Sequence, residues 1–165
     1  QGVLHIKSPG IMNGYHNRPD IRGRITEDGY YVTGDVLRRD GNGFFYFVGR
    51  DDDMFVCGGE NIFPSEVEQV LETHPQIQQA CVVPVPDEIK GEKPVAFVVP
   101  TPGARPDEEA IRRFALERMP AYQHPRRVWL VDALPLASTN KVDRALLKQW
   151  AIAGLARSAT PEAAA

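Results

Sequence analysis

Cysteine is scarce in this chain: Cys57 and Cys81 are its only two, too few for a disulfide framework and in no metal-ligand spacing such as CxxC. Both read as reduced thiols, with Cys81 as core. No apolar run approaches the roughly 18 residues of a membrane span, and the opening QGVLHIKSPG lacks the charged and apolar regions of a signal peptide. A cytoplasmic setting is therefore expected. Basic charge is lacking too. A net charge of -3 and a pI near 5.8 offer no field for a nucleic-acid backbone, so no nucleic-acid partner is expected. Neither GxGxxG nor GxxxxGK[ST] occurs, which excludes the common glycine-rich phosphate loops. There is no internal repeat, and low complexity is confined to the Ala-rich end, where residues 157–165 are expected to be a disordered tail.

What is present is ordinary globular material, 42% hydrophobic and 25% charged over 165 residues, enough for one compact domain and a smaller appendage. Short aromatic and β-branched runs at 3–6, 30–32 and 44–48 predict an antiparallel meander. Its clearest turn is Asp40-Gly41-Asn42-Gly43, where glycine and asparagine accept the positive φ of a tight hairpin. These fifty residues carry too few apolar positions to cover both faces of a sheet, which points to a larger neighbour.

Beyond them, helices and strands alternate. Pro64 suits the first position of a helix whose Val67, Val70, Leu71 and His74 share one face and which stops before Pro75. Strands are expected at 79–84 and 94–100, joined by the polar loop PDEIKGEK, and at 127–131. Asp107 should cap a second helix with Ala110, Ile111, Phe114 and Ala115 buried, and a third helix should run over 143–155 with Leu146, Leu147 and Trp150 on one side. Between the two kinds of structure lies GRDDDMFVCGGENIFPSEVE, residues 49–68, whose self-repelling DDD suits a hinge.

Four features carry chemistry, each with a plain structural counterpart. Thr33-Gly34-Asp35 follows the strand YYV; its carboxylate could accept hydrogen bonds from a ribose diol or simply cap a turn. Arg50 could reach the same nucleotide as a bidentate donor, or pair with an adjacent aspartate. Gly58-Gly59-Glu60-Asn61 reads as a flexible loop entering a helix, open to close approach by another molecule, or as a tight turn. Lys141, in STNKVDR, suits a phosphate or acyl phosphate as a mobile point charge, or is merely solvated.

Taken in order, YYVTGD, GNGFFYFVGRDDDMFVCGGENIFPSEVE, VVPVPDEIKGEKPVAFVV and LPLASTNKVDR resemble the C-terminal end of the adenylate-forming acyl-CoA synthetase superfamily, over residues 14–150. The resemblance implies an α+β fold: a small C-terminal lid domain at 52–156, preceded at 1–51 by the β-rich end of a large N-terminal domain. It implies a carboxylic acid:CoA ligase that uses ATP and CoA, acting on a fatty or aromatic acid. Asp35 and Arg50 would bind the nucleotide, Asp52 would be the hinge, and Lys141 would be catalytic in adenylation. The Gly58-Gly59-Glu60 loop would line the pantetheine tunnel, and Lys90, Tyr122, His124 and Arg126 are candidates for the rest of CoA. The phosphate loop, acyl pocket and Mg²⁺ ligands would lie in the missing domain, so the chain alone is expected to be an inactive fragment, free to pair with a second copy. Val56 stands where many members have lysine and Asn140 where many have glycine. The Asn-Lys pair is similar to benzoate-type ligases and tilts the acid toward aromatic. A peptide-synthetase adenylation domain and a non-catalytic binding module with this fold are the alternatives.

Overall fold

The computed structural model describes residues 1–12, 14–17 and 24–154. The tail expected at 157–165 lies outside the described residues. The chain forms two compact units, Gln1–Asp53 and Met54–Ala165.

The first unit is a three-stranded antiparallel sheet of β1 (Gly2–Ile6), β2 (Tyr31–Arg39) and β3 (Phe45–Arg50), in that order. The expected hairpin joins β2 to β3: Asp40 Oδ1 accepts from the Asn42 and Phe44 amides at 2.9 and 3.0 Å, and Gly43 takes φ +92°. Val36 and Val48 are buried, whereas Phe44, Phe45, Tyr46 and Phe47 stay exposed. One expectation is corrected. Thr33-Gly34-Asp35 does not end a strand at a turn; β2 runs on to Arg39. Between the pairs His5↔Val32 and Val3↔Val36 it spends more residues than β1, so Thr33-Gly34-Asp35 forms a bulge.

The second unit is a mixed sheet with helices on both faces, consistent with the α+β expectation. Its strands are β4 (Phe55–Cys57), β5 (Glu60–Ile62), β6 (Ile77–Asp87), β7 (Gly91–Pro100) and β8 (Val128–Leu130), and its helices α1 (Pro64–Glu72), α2 (Glu108–Arg118) and α3 (Arg144–Ala153). The order is β5-β4-β7-β6, with β8 parallel to β7 on the side away from β6. Alternation along the strands sends side chains to opposite faces. Val82, Ala96 and Val98 pack with Val67, Leu71, Ile111 and Ala115 of α1 and α2. Cys81, Val83, Val95, Phe97 and Val99 pack with Leu147 and Trp150 of α3.

The first two helix starts act as read. Pro64 opens α1 and Asp107 accepts from the Ala110 amide at 3.1 Å; Asp143, expected inside the third helix, instead caps it, accepting from the Leu146 amide at 2.9 Å. His74 extends the apolar side of α1 by an edge-on contact with Phe114, 4.7 Å between rings. The third helix stops short of Leu155, because Gly154 takes the left-handed conformation, φ +67°, that closes a helix. The loop PDEIKGEK shrinks to a turn: Asp87 Oδ1 accepts from the Ile89 and Lys90 amides, and β6 and β7 pair to its base.

Strand β6 has an open outer edge, and three side chains cover part of it. Glu72 accepts from the Ala80 amide at 3.0 Å and Glu68 from the Val82 amide at 2.7 Å, while Arg144 donates to the Val82 carbonyl at 2.9 Å. The next positions of that parity are Pro84 and Pro86, which have no N–H to offer.

Candidate functional site

In the first unit the structure gathers Asp35, Arg50 and Asp52. Asp35 and Arg50 face each other across β2 and β3. Arg50 Nη1 donates to Asp35 Oδ1 at 2.9 Å and to the Thr33 carbonyl at 3.1 Å; Nε and Nη2 donate to the two Asp52 oxygens at 3.0 and 3.1 Å. The Asp52 hydrogen bonds raise the Arg50 pKa further above its usual value, with Asp35 adding to the effect; in turn Arg50 lowers the Asp52 carboxyl below the usual carboxylate range. The bulge makes this possible. Thr33 Oγ1 donates to the Leu4 carbonyl and accepts from the Asp35 amide, both at 3.0 Å, and the Gly34 carbonyl accepts from the Asp51 amide at 2.8 Å. A Cβ on Gly34 would stand 3.0 Å from Arg50 Nη2, so glycine leaves the guanidinium its room. Beside the group lies an open cleft of about 200 Å³ lined by Arg24, Val32, Gly34, Asp51 and Asp52. Arg24, 3.9 Å from Asp52, gave no signal in the sequence because nothing local links the two.

In the second unit, Gly58-Gly59 is not a loop entering a helix but the two-residue turn of the β4–β5 hairpin, pairing Cys57 with Glu60. Both glycines have positive φ, +61° and +90°, as a type I′ turn requires. Periodicity missed these strands because each is three residues long. The Gly58 amide donates to the Lys90 carbonyl at 3.0 Å, and the Lys90 stem lies 3.8 Å from where a Gly58 Cβ would be. Space beyond Gly59 is open.

Lys90 also belongs to a cationic group. His124 is buried, its Nδ1 2.9 Å from the Ala121 carbonyl, which also accepts from Arg126 Nη2 at 3.1 Å. Burial pushes the His124 imidazole below its ordinary pKa; the Ala121 hydrogen bond opposes this, and the charges of Arg126, Arg112 and Lys90 add to it. Arg112, on α2, was not among the sequence candidates, yet its Nε is buried with no hydrogen-bond partner among the described residues. Tyr122 packs instead against the α1–α2 core. The arrangement is chemically suited to a phosphate-bearing anion.

Lys141 stands apart from this group, exposed on a second hairpin. Leu136 bridges Val142, the Ala137 amide donates to the Lys141 carbonyl at 2.8 Å, and the Asn140 amide donates to the Ala137 carbonyl at 2.9 Å. Asn140 closes the turn at φ +60°. That left-handed position suits glycine or asparagine, which gives the departure at Asn140 a physical reason. Among the described residues no three His, Cys, Asp or Glu side chains gather as a metal site, and no helix is long and apolar enough to cross a membrane.

Comparison with known proteins bears on the family. The profile of the AMP-binding enzyme C-terminal domain matches residues 66–141. A 2-succinylbenzoate–CoA ligase of Geobacillus kaustophilus is 40% identical over 90% of this chain and 30% of its own length. A medium/long-chain-fatty-acid–CoA ligase of Mycobacterium tuberculosis is 42% identical over 94% of this chain and 29% of its own. The solved structure of the amide bond synthetase McbA from Marinactinospora thermotolerans superposes with a TM-score of 0.84, at 32% identity, over 92% of this chain and 31% of that one. The chain thus spans about 30% of the length of the curated relatives it matches. Residues 66–141 thus match the C-terminal domain of the AMP-binding enzymes, and the chain as a whole is similar to adenylate-forming enzymes of which it spans about 30%.

Proposed function

We propose that this chain is the C-terminal part of an ATP-dependent carboxylic acid:CoA ligase and carries groups for both half-reactions. In the first, a carboxylate oxygen attacks the α-phosphorus of ATP and the bond to pyrophosphate breaks, giving acyl-AMP. In the second, a thiol attacks the acyl carbonyl, loses its proton, and AMP leaves. Asp35 accepts from the ribose hydroxyls while Arg50 binds the nucleotide. Asp52 is the pivot. Lys141 places its charge against the carboxylate and α-phosphate. The Gly58-Gly59 turn and Glu60 border the path of the pantetheine arm. Lys90, His124 and Arg126 hold the phosphate-bearing end of CoA, Arg112 adds its charge near His124, and Tyr122 contacts CoA from its place against the α1–α2 core. Mg²⁺ would offset phosphate charge through ligands supplied by the remainder of the enzyme.

The observation that carries this reading is the presentation of Lys141: a solvent-facing cation at the end of a hairpin whose turn and base are hydrogen-bonded. At an effective dielectric near 20, a lysine about 4 Å from a phosphate contributes roughly 4 kcal/mol. Its loss therefore slows adenylation by on the order of 100- to 1,000-fold. The test is Lys141→Ala in the full-length enzyme, measuring pyrophosphate release from ATP and acid, and separately thioester formation from preformed acyl-AMP. Loss of the first with the second retained is expected; equal loss of both refutes the assignment. Gly59→Leu should do the reverse, slowing only the thiol step.

A second reading concerns the acceptor. The likeness to an amide bond synthetase favours an amine in place of the thiol. Offering preformed acyl-AMP to CoA and to simple amines separates the two. The matched relatives include ligases named for an aromatic and for a fatty acid. Both leave the acid to be set by the acyl pocket, outside this chain.

A further inference from the structure

Arg144 breaks a local rule. It is the first residue of α3, where the positive end of the helix dipole makes a cation unfavourable by about 0.3–1 kcal/mol. Its guanidinium turns away from the helix. Nη1 and Nη2 donate to the two oxygens of Glu68 at 2.7 and 2.9 Å, and Nη1 also reaches the Val82 carbonyl at 2.9 Å and Cys81 Sγ at 3.4 Å. Glu68 is only 13% exposed, and the oxygen it gives to Nη1 also accepts from the Val82 amide. A carboxylate and a guanidinium thus interlock around one residue of β6.

Edge protection alone does not call for an arginine at this place. Glu72 covers Ala80 without a cation, and Pro84 and Pro86 protect their positions by lacking an N–H. The second clue is distance along the chain. Lys141 is three residues from Arg144, and that short span has little slack: Leu136 bridges Val142, the Asp143 amide donates to the Pro135 carbonyl at 2.8 Å, and the Asp143 side chain caps Leu146. The Lys141 hairpin and the first turn of α3 form one stiff piece. Arg144 bolts that piece to α1 through Glu68 and to β6 through Val82.

We infer that Arg144, gripped by Glu68, is a positioning residue that sets where Lys141 stands, and so serves adenylation without touching the substrates. This rests on the role proposed for Lys141. A shift of about 1 Å in a reacting group costs on the order of 100-fold in rate. Arg144→Met in the full-length enzyme is therefore expected to slow acyl-AMP formation about 10- to 100-fold at saturating ATP and acid, with little change in either KM. Thioester formation from preformed acyl-AMP should stay within about two-fold. Arg144→Lys should recover part of the loss, since an ammonium can still donate to Glu68 but lacks the fork. Glu68→Gln keeps an acceptor for the Val82 amide while removing the charge that holds Arg144, and should reproduce the same split. Amide exchange over residues 135–143 of the 165-residue chain gives a readout independent of activity, expected to quicken in Arg144→Met while exchange in α2 stays unchanged. Unchanged adenylation, an equal slowing of both half-reactions, or unchanged exchange over 135–143 overturns the inference. If instead Lys141→Ala itself leaves adenylation intact, it is the role of Lys141 that fails.

Discussion

Gly34→Ala separates two costs that are usually confounded. The backbone there has φ +79°, which disfavours any L side chain by about 1–2 kcal/mol. The new methyl would also meet Arg50 Nη2 at 3.0 Å and Cζ at 3.4 Å, so the guanidinium must move. Moving it weakens the hydrogen bonds to the Thr33 carbonyl and to Asp35, and the more exposed pair with Asp52. After screening of the two ion pairs by solvent, that adds about 1–2 kcal/mol. Gly59→Ala supplies the control: φ is +90°, and nothing lies within 4 Å of the added carbon. Gly34→Ala should therefore destabilise its hairpin by about 1–2 kcal/mol more than Gly59→Ala does, a factor of 5–30 in local opening. The assay is amide exchange, read at Asp51, whose N–H donates to the Gly34 carbonyl, and at Glu60 for the control. Equal effects at the two sites would show that Arg50 yields freely and that Gly34 is needed only for its backbone.

Three further outcomes are expected. Asn140→Gly should change denaturant stability by less than about 0.5 kcal/mol, whereas Asn140→Val should cost about 1–2 kcal/mol because of φ +60°; equal stability of the two variants counts against the left-handed turn. His124 is held below its ordinary pKa, so below about pH 6.5 the unfolded chain binds a proton that the folded chain refuses, and stability is full above that pH and falls as pH drops through it. His124→Gln should flatten the denaturant midpoint between about pH 7 and 5; an unaltered slope excludes His124 as the source, and losses below about pH 4 belong to the lowered carboxyls of Asp87, Asp40, Asp28 and Asp52. Phe45 and Phe47 stay largely exposed on β3, and burying one such ring is worth about 1.5–3 kcal/mol, so the chain should self-associate with rising concentration and Phe45→Lys with Phe47→Lys should shift it to monomer; sedimentation showing monomer throughout overturns this.

What could be read from the sequence was local. Pro64 and Asp107 act within a few residues of their own positions, and the apolar spacing of Val67 and Leu71 needs only a helix to have meaning. The type of the Gly58-Gly59 turn lay in the residues themselves, but strands of three residues leave no period to detect, so the hairpin read as a loop. The bulge at Gly34 was hidden for a different reason. A glycine after a β run signals a turn unless a neighbouring strand holds it, and that neighbour, β1, lies about thirty residues upstream. Glu68 and Arg144 show the same limit more sharply: 76 positions separate them, and each alone is an ordinary charged helix residue. Only the irregularity of a cation at a helix start hinted that Arg144 answered to something distant.

The topology of the second unit bears on how one chain could serve two half-reactions. The Gly58 turn is fixed to Lys90, at the start of β7. Arg144, three residues past Lys141, is fixed at the level of Val82 and its partner Ala96, five strand positions or roughly 16 Å along β7. The α3 helix then runs back toward Glu92, where Lys148 pairs at 3.1 Å, so its N-terminal end is the end farther from Gly91. Hydrogen bonds hold both anchors, Gly58 at Lys90 and Arg144 at Val82. If Lys141 and Gly58-Gly59 each work at the same reacting carbonyl, they must do so in turn, with the whole unit presented differently. The acidic stretch Asp51-Asp52-Asp53, at the boundary of the two units, is where such a change would have to be absorbed. Asp52→Pro, which removes an N–H and restricts φ, should then favour one half-reaction at the expense of the other, and an equal effect on both would argue against alternation.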